Sequence, residues 1–334
     1  MKCAVVGAGA IGGYLGARLA LAGDDVTFIA RGANLAAIAR DGFKLIETDG
    51  TERIALNARA EPIDAPGDYE VIFLAVKAQQ VAALAEDISR LLGPGTAVVT
   101  LQNGVPWWFF HKLDGPYEGR TVRTADPDGV IAANIPPDRI IGAVVYPAAE
   151  LIAPGVVKVI EGDRFSLGEP GGEKSERVRA VSEALTRAGF KAPVSSDIRA
   201  EIWLKLWGNV VFNPVSALTH ATLVEICRFP PTRALAAAMM TEAQKVGEEL
   251  GVRVRLSVEK RIAGAEAVGA HKTSMLQDVE NGRPLELETL VGSVVELARL
   301  TGTPTPAIDA VYACASLLAA TLGGGGRLAL QRRG

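Results

Sequence analysis

Cys3-Ala4-Val5-Val6-Gly7-Ala8-Gly9-Ala10-Ile11-Gly12 stands at the start of the chain and decides how the first half is read. A short run of buried-strand character passes directly into G-x-G-x-x-G, and a helical run follows over residues 13–22. In that strand, turn and helix setting each glycine has a task. Gly7 permits the tight turn, Gly9 lets backbone approach a pyrophosphate, and Gly12 lets the helix lie close on the strand, while the helix N-terminus favours an anion. Ala8, Ala10 and Ile11 complete the loop. The stretch predicts a dinucleotide-binding Rossmann domain, against the plainer alternative of a glycine-rich turn with no ligand.

Working outward, the strand pattern of residues 25–30 ends in Arg31-Gly32, where an NAD enzyme would hold the ribose hydroxyls with an acid. Here a guanidinium stands instead and no Asp or Glu adjoins it, which favours the 2′-phosphate of NADP(H). The plain alternative is a solvated loop charge. Residues 43–47 and 53–56 around Asp49-Gly50 read as a hairpin. Residues 71–76 and 96–101 read as parallel strands ending in Lys77 and in Gln102-Asn103-Gly104. Ligands of doubly wound sheets sit at the carboxyl ends of strands, so Lys77 and Asn103 share a rim with the glycine loop; Lys77 is either a phosphate partner or simply solvated. Trp107-Trp108-Phe109-Phe110 opens a looser region, with residues 115–137 rich in Gly, Pro and Asp. It reads as a flap over the site or as an apolar anchor, and the reading leans to the flap. Residues 140–146, 155–160 and 164–167 resume as strands with Gly162-Asp163 as a turn, residues 173–188 are helical, and residues 191–194 close the sheet.

The second chemical stretch is residues 200–214, which sets Lys205, Asn209 and Asn213 four residues apart in an apolar helical pattern. Steps of four advance only about 40° around a helix, so the three polar groups form one stripe. Trp203, Leu206, Trp207, Val210 and Phe212 leave no fully polar face, which marks a buried helix. Pro214 limits how far it continues unbroken. The bland reading of Lys205 is a surface pair with Glu201 one turn earlier; the functional reading is a proton donor beside two amides that orient a polar substrate. The rest reads as helices broken at Gly251, Gly282-Arg283-Pro284 and Gly302-Thr303-Pro304. Thr273-Ser274 offers hydroxyls at a helix start, where capping is the commoner explanation. Glu286 lies just inside the next helix, where a first-turn dipole partner is the commoner one.

At 334 residues the chain is long enough for two cores, and a net charge of −3 without a basic patch argues against nucleic acid. Cys3, Cys227 and Cys314 are odd in number, far apart and without a His cluster, so neither a disulfide framework nor a metal site is expected. A reducing cytoplasm fits. No signal peptide opens the sequence, and no apolar run is long enough to cross a membrane.

These residues resemble the ketopantoate reductase (2-dehydropantoate 2-reductase) family over nearly the whole chain. The resemblance is carried by residues 7–12, Arg31, Val76-Lys77-Ala78, Gln102-Asn103-Gly104, Trp203-Leu204-Lys205-Leu206 with Asn209 and Asn213-Pro214, Thr273-Ser274-Met275-Leu276-Gln277-Asp278, and Asn281-Gly282-Arg283-Pro284-Leu285-Glu286. It implies an α/β Rossmann domain over 1–195, an all-α domain of the 6-phosphogluconate dehydrogenase C-terminal type over 196–322 for substrate and dimerisation, and a flexible tail over 323–334. It implies NADPH-dependent reduction of a 2-keto acid, ketopantoate to pantoate, with the site in the cleft between domains. By the same resemblance Lys205 is the general acid. Asn103, Asn209, Asn213 and Ser274 contact substrate, and Glu286 supports lysine, substrate or cofactor. Gly7, Ala8, Gly9, Ala10, Ile11, Gly12, Arg31, Lys77, Asn103, Glu286 and Ala148, on a strand-end loop, hold NADPH/NADP+. The partners implied are a small 2-keto acid and, as an option, a second copy in a homodimer. The chain departs from the family at the residue 107–110 aromatics, around Tyr146-Pro147 and at Glu288, all on the substrate side. A bulkier keto acid and a non-catalytic NADP(H) sensor are the alternatives.

Overall fold

The computed structural model describes residues 1–323, and the tail expected from 323 lies outside the described residues from 324 on. In chain order the first half gives β1 (Lys2–Val6), α1 (Ala10–Leu21), β2 (Asp25–Ile29), α2 (Gly32–Asp41), β3 (Phe43–Ile46), β4 (Glu52–Ala55), β5 (Arg59–Glu61), β6 (Val71–Leu74), α3 (Ala78–Arg90) and β7 (Ala97–Thr100). Then come α4 (Val130–Asn134), β8 (Ile140–Val145), β9 (Ala148–Ala153), β10 (Val156–Glu161), β11 (Phe165–Gly168) and α5 (Glu176–Arg187). The second half is α6 (Ile198–Thr219), α7 (Leu223–Arg228), α8 (Pro230–Glu249), α9 (Val258–Ala267), α10 (Ser274–Glu280), a π-helical turn (Glu288–Gly292), α11 (Ser293–Thr301) and α12 (Pro306–Gly323). Among the described residues no helix is long and apolar enough to cross a membrane.

The main sheet has the order β11-β8-β7-β6-β1-β2-β5, parallel except where β11 pairs antiparallel with β8. Its central strands β6 and β7 are short, largely apolar runs buried along their length, as strands covered on both faces must be. The order reverses between β1 and β6, the place where doubly wound sheets bind ligands. The hairpin expected at residues 43–56 is β3 and β4, with Phe43 opposite Ala55. It joins β10 and β9 in a second sheet of order β4-β3-β10-β9. Gly162-Asp163 therefore carries the chain from one sheet to the other instead of closing a hairpin, and residues 191–194 form only isolated bridges.

Helix α1 packs on both sheets, and it carries glycine where the aromatic rings come closest. A Cβ on Gly13 would meet the Phe43 ring at 2.3 Å, and one on Gly16 the Phe28 ring at 2.5 Å. The two rings themselves stack with centroids 4.7 Å apart. Removing side chains from α1 lets these aromatics close the core around it.

The aromatic run of residues 107–110 corrects the flap reading. All four side chains are buried; Trp108 donates its indole N–H to Thr100 Oγ1 at 3.2 Å and packs where Gly142 has no side chain. The run is an anchor. Cα neighbours divide the chain into two compact units. One comprises Met1–Asn103, Trp107–Thr121 and Asp126–Glu201; the other Gly104–Pro106, Val122–Ala125 and the residues from Ile202 onward. The division falls inside α6, later than residue 195.

In the helical unit, α6 runs through Pro214, which removes one N–H without ending the helix. The Glu242 carboxylate on α8 accepts from the amides of Ala307 and Ile308 at 2.9 Å each, satisfying the free N-terminal donors of α12.

Candidate active site

The glycine loop joins β1 to α1, and the structure gives each glycine a separate reason. Gly7 has φ +106°, and a Cβ there would sit 2.8 Å from Val76 Cγ1. A Cβ on Gly12 would lie 2.0 Å from the Gly7 carbonyl oxygen and 2.8 Å from Ala75 Cβ. At Gly9 nothing lies within 4 Å of that position. This glycine faces open space where a pyrophosphate would lie, at a helix N-terminus with no side-chain cap and no acid in its first turn. The open space at Gly9 and the uncapped N-terminus of α1 fit a dinucleotide phosphate.

Around this loop, Arg31 is the exposed residue preceding α2, with extended backbone and no carboxylate in the first turn of that helix. Lys77 is half-buried just before α3, and Asn103 is half-buried just past β7. Ala148 is the first residue of β9 and pairs with Glu161, so it belongs to a strand and not to the loop expected. Its strand lies at the edge of the second sheet.

Two side chains important to this rim carry no signal that sequence reasoning picks up. Asn34, on the unforeseen α2, donates its amide to the Ala8 carbonyl and accepts from the Gly155 amide, both at 3.0 Å. Gln102 donates its side-chain amide to the carbonyls of Leu74 and Val76, at 2.8 and 3.0 Å, fixing the end of β7 to that of β6. The motif that contains it directs attention to the neighbouring Asn103 instead.

In the helical unit, α6 carries Lys205, Asn209 and Asn213 on one stripe, as the spacing predicts; Lys205 and Asn209 are half-buried and Asn213 is 5% exposed. Burial pushes the Lys205 ammonium down to about 8, and the Glu286 carboxylate opposes it by favouring the charged form. The carboxylate of the bland reading is engaged elsewhere: Glu201 accepts from Tyr146 Oη at 3.2 Å and faces Arg164 at 3.9 Å. Glu286 is half-buried and precedes the helical segment that begins at Leu287, so it is not a first-turn residue. The correction has a local cause, because the chain takes up no helix from Pro284 to Glu286 and then makes a π-helical turn. Ser274 is the exposed first residue of α10, and the cap is Thr273, whose side chain accepts from the Leu276 amide at 3.2 Å. The structure thus brings Lys205 and Glu286 together, while Ser274 stands free of the capping task.

Comparison with known proteins adds a separate line of support. The family described as "Ketopantoate reductase PanE/ApbA" matches residues 3–172, and "Ketopantoate reductase PanE/ApbA C terminal" matches residues 197–319. A 2-dehydropantoate 2-reductase of Mesorhizobium japonicum is 53% identical over 324 residues, covering 97% of this chain and 99% of that protein. A crystal structure of a Ralstonia solanacearum protein assigned to the ketopantoate reductases superposes with a TM-score of 0.92 at 43% identity, covering 96% of this chain and 98% of the other. A D-mandelate dehydrogenase solved with NADH and anilino(oxo)acetate shares the fold at a TM-score of 0.81, with 23% identity and 97% and 100% of the two chains covered. With matches reaching from the first strand to the last helix, and more than half its residues shared with a full-length relative, the chain belongs to the ketopantoate reductase family.

Proposed function

We propose that the protein is an NADPH-dependent reductase of a small 2-keto acid, taking 2-dehydropantoate to pantoate in cytoplasmic pantothenate and coenzyme A synthesis, with a homodimer as its assembly. The observation that carries this reading is a lysine with its acidity raised to the working range, set beside one carboxylate and two amides on a buried helix face. NADPH, when bound, supplies the hydride that reaches the keto carbon. Lys205 protonates the carbonyl oxygen, and its charge stabilises that oxygen beforehand. Asn103, Asn209, Asn213 and Ser274 orient the acid, and Glu286 keeps the ammonium charged. Residues 7–12 hold the pyrophosphate, Arg31 the 2′-phosphate and Lys77 a phosphate oxygen, with Ala148 adding a backbone contact.

The test is a panel of 2-keto acids with NADPH and NADH in parallel. Oxidation of NADPH with 2-dehydropantoate above the others supports the reading; binding without oxidation across the panel leaves a nucleotide-binding fold alone. Removing the guanidinium with Arg31→Ala is expected to raise the KM for NADPH by about tenfold or more, the worth of a charge-assisted contact, and to leave that for NADH unchanged.

The pH dependence has a definite sign. A proton donor works while protonated, so turnover should fall as pH rises through about 8, where Lys205 loses its proton. Glu286 holds that value up, so Glu286→Gln moves the limb to lower pH. A limb that stays in place in this variant would separate Glu286 from the lysine.

A further inference from the structure

Gly104 is placed where no other residue fits. Its φ is +90°, and a Cβ would stand 2.1 Å from the Thr289 carbonyl oxygen and 2.6 Å from its carbon. The next amide, that of Val105, donates to the same oxygen at 3.1 Å. From the other side Ser293 Oγ donates to it at 2.7 Å, in a buried setting. The receiving carbonyl belongs to the π-helical turn Glu288–Gly292, which begins two residues after Glu286. Turns of this kind open the regular helical ladder and recur at functional sites. The backbone at Gly104 and Val105 is therefore pressed, with no side chain between, onto the π-helical turn at Thr289.

We propose that Gly104 and the Thr289 carbonyl form a positioning latch, in which one backbone contact sets the turn that follows Asn103 and so the backbone from which that side chain leaves. The latch rests on the reductase reading, and it makes Gly104 a positioning residue and Asn103 the group through which it acts. Any side chain at 104 has to push the turn off the carbonyl. A displacement near 1 Å at a substrate-orienting group costs roughly 10²-fold in turnover when the geometry is otherwise fixed. The glycine loop of residues 7–12 is untouched by this contact, so the hold on the cofactor's phosphates, which dominates NADPH affinity, is unaffected.

The experiment is a double-mutant cycle on kcat/KM for 2-dehydropantoate, joining Gly104→Ala with Asn103→Ala, beside NADPH titration of each variant by fluorescence. Turnover by the unaltered protein tests the reductase reading, and the ratios within the cycle test the latch. Gly104→Ala alone is expected to lower kcat/KM by about 10²-fold with the NADPH Kd within threefold, and to add nothing in the Asn103→Ala background. Losses that multiply, or kcat/KM within threefold of the unaltered protein, overturn the latch. Should Gly104→Ala not fold, Ser293→Ala takes its place. It removes the second donor from the same carbonyl, and a severalfold loss confined to the Asn103 background supports the latch while an equal loss in both overturns it.

Discussion

Lys205→Ala is expected to cut turnover by roughly 10²–10⁴, the contribution of a positioned general acid, with circular dichroism and NADPH affinity unchanged. The lysine stands on the inner stripe of a long helix, and the carboxylate that bears on its charge is Glu286. Stability should move the other way. Burial pushes its acidity from the ordinary 10.5 down to about 8, so the folded state holds the proton less firmly than the unfolded chain. The cost of the buried charge is then fully present below pH 8 and is relieved as pH rises from there to 10.5, amounting to about 3 kcal/mol. Lys205→Met in a Glu286→Gln background is expected to gain part of that in urea unfolding at pH 7. Near-normal turnover in Lys205→Ala would remove this lysine as the acid.

The largest effect on stability is expected from Arg199→Met. Arg199, in the first turn of α6, is 8% exposed, and its hydrogen bonds run to backbone carbonyls instead of to a carboxylate. Its guanidinium donates to the carbonyls of Phe109 and Pro170, both at 2.6 Å, and of His111. One cation thus satisfies three carbonyls, those of Phe109 in the aromatic run, of His111 just after it and of Pro170 just past β11. Replacing it leaves those acceptors buried and unpaired, and the expected loss is about 3–5 kcal/mol by urea unfolding. An unchanged midpoint would mean that water takes the place of the guanidinium.

The parts of the site written in short-range chemistry are legible in the sequence alone. Gly7 and Gly12 announce themselves because each meets a different steric demand of the fold, while Gly9 opens onto free space, and the four-residue spacing of Lys205, Asn209 and Asn213 survives as one helical stripe. The illegible parts depend on partners far along the chain. Residues 107–110 have the composition of a lid, and only Thr100, Gly142 and Arg199 make them an anchor. The second sheet pairs β3 with β10 across more than a hundred residues, which no local periodicity signals. Helix α2 buries only Ile38, so its pattern is faint, and Asn34 is hidden with it. Hydrophobic spacing puts Glu286 inside a helix because the π-helical turn that delays the regular helix leaves no mark in that spacing.

Two short stretches of the first half of the chain belong to the helical unit, and they bear on how the chain is made. Residues 122–125 are held by Glu296, whose carboxylate accepts from the Arg123 amide, the Thr124 amide and Thr124 Oγ1, each at 2.8 Å, and residues 104–106 are held by Thr289. During synthesis from the N-terminus, both stretches emerge 172 residues or more before their partners, so the turn that follows Asn103 cannot set until the π-helical turn has been translated. A chain cut after residue 201 would keep the glycine loop and lack the partners of both clasps.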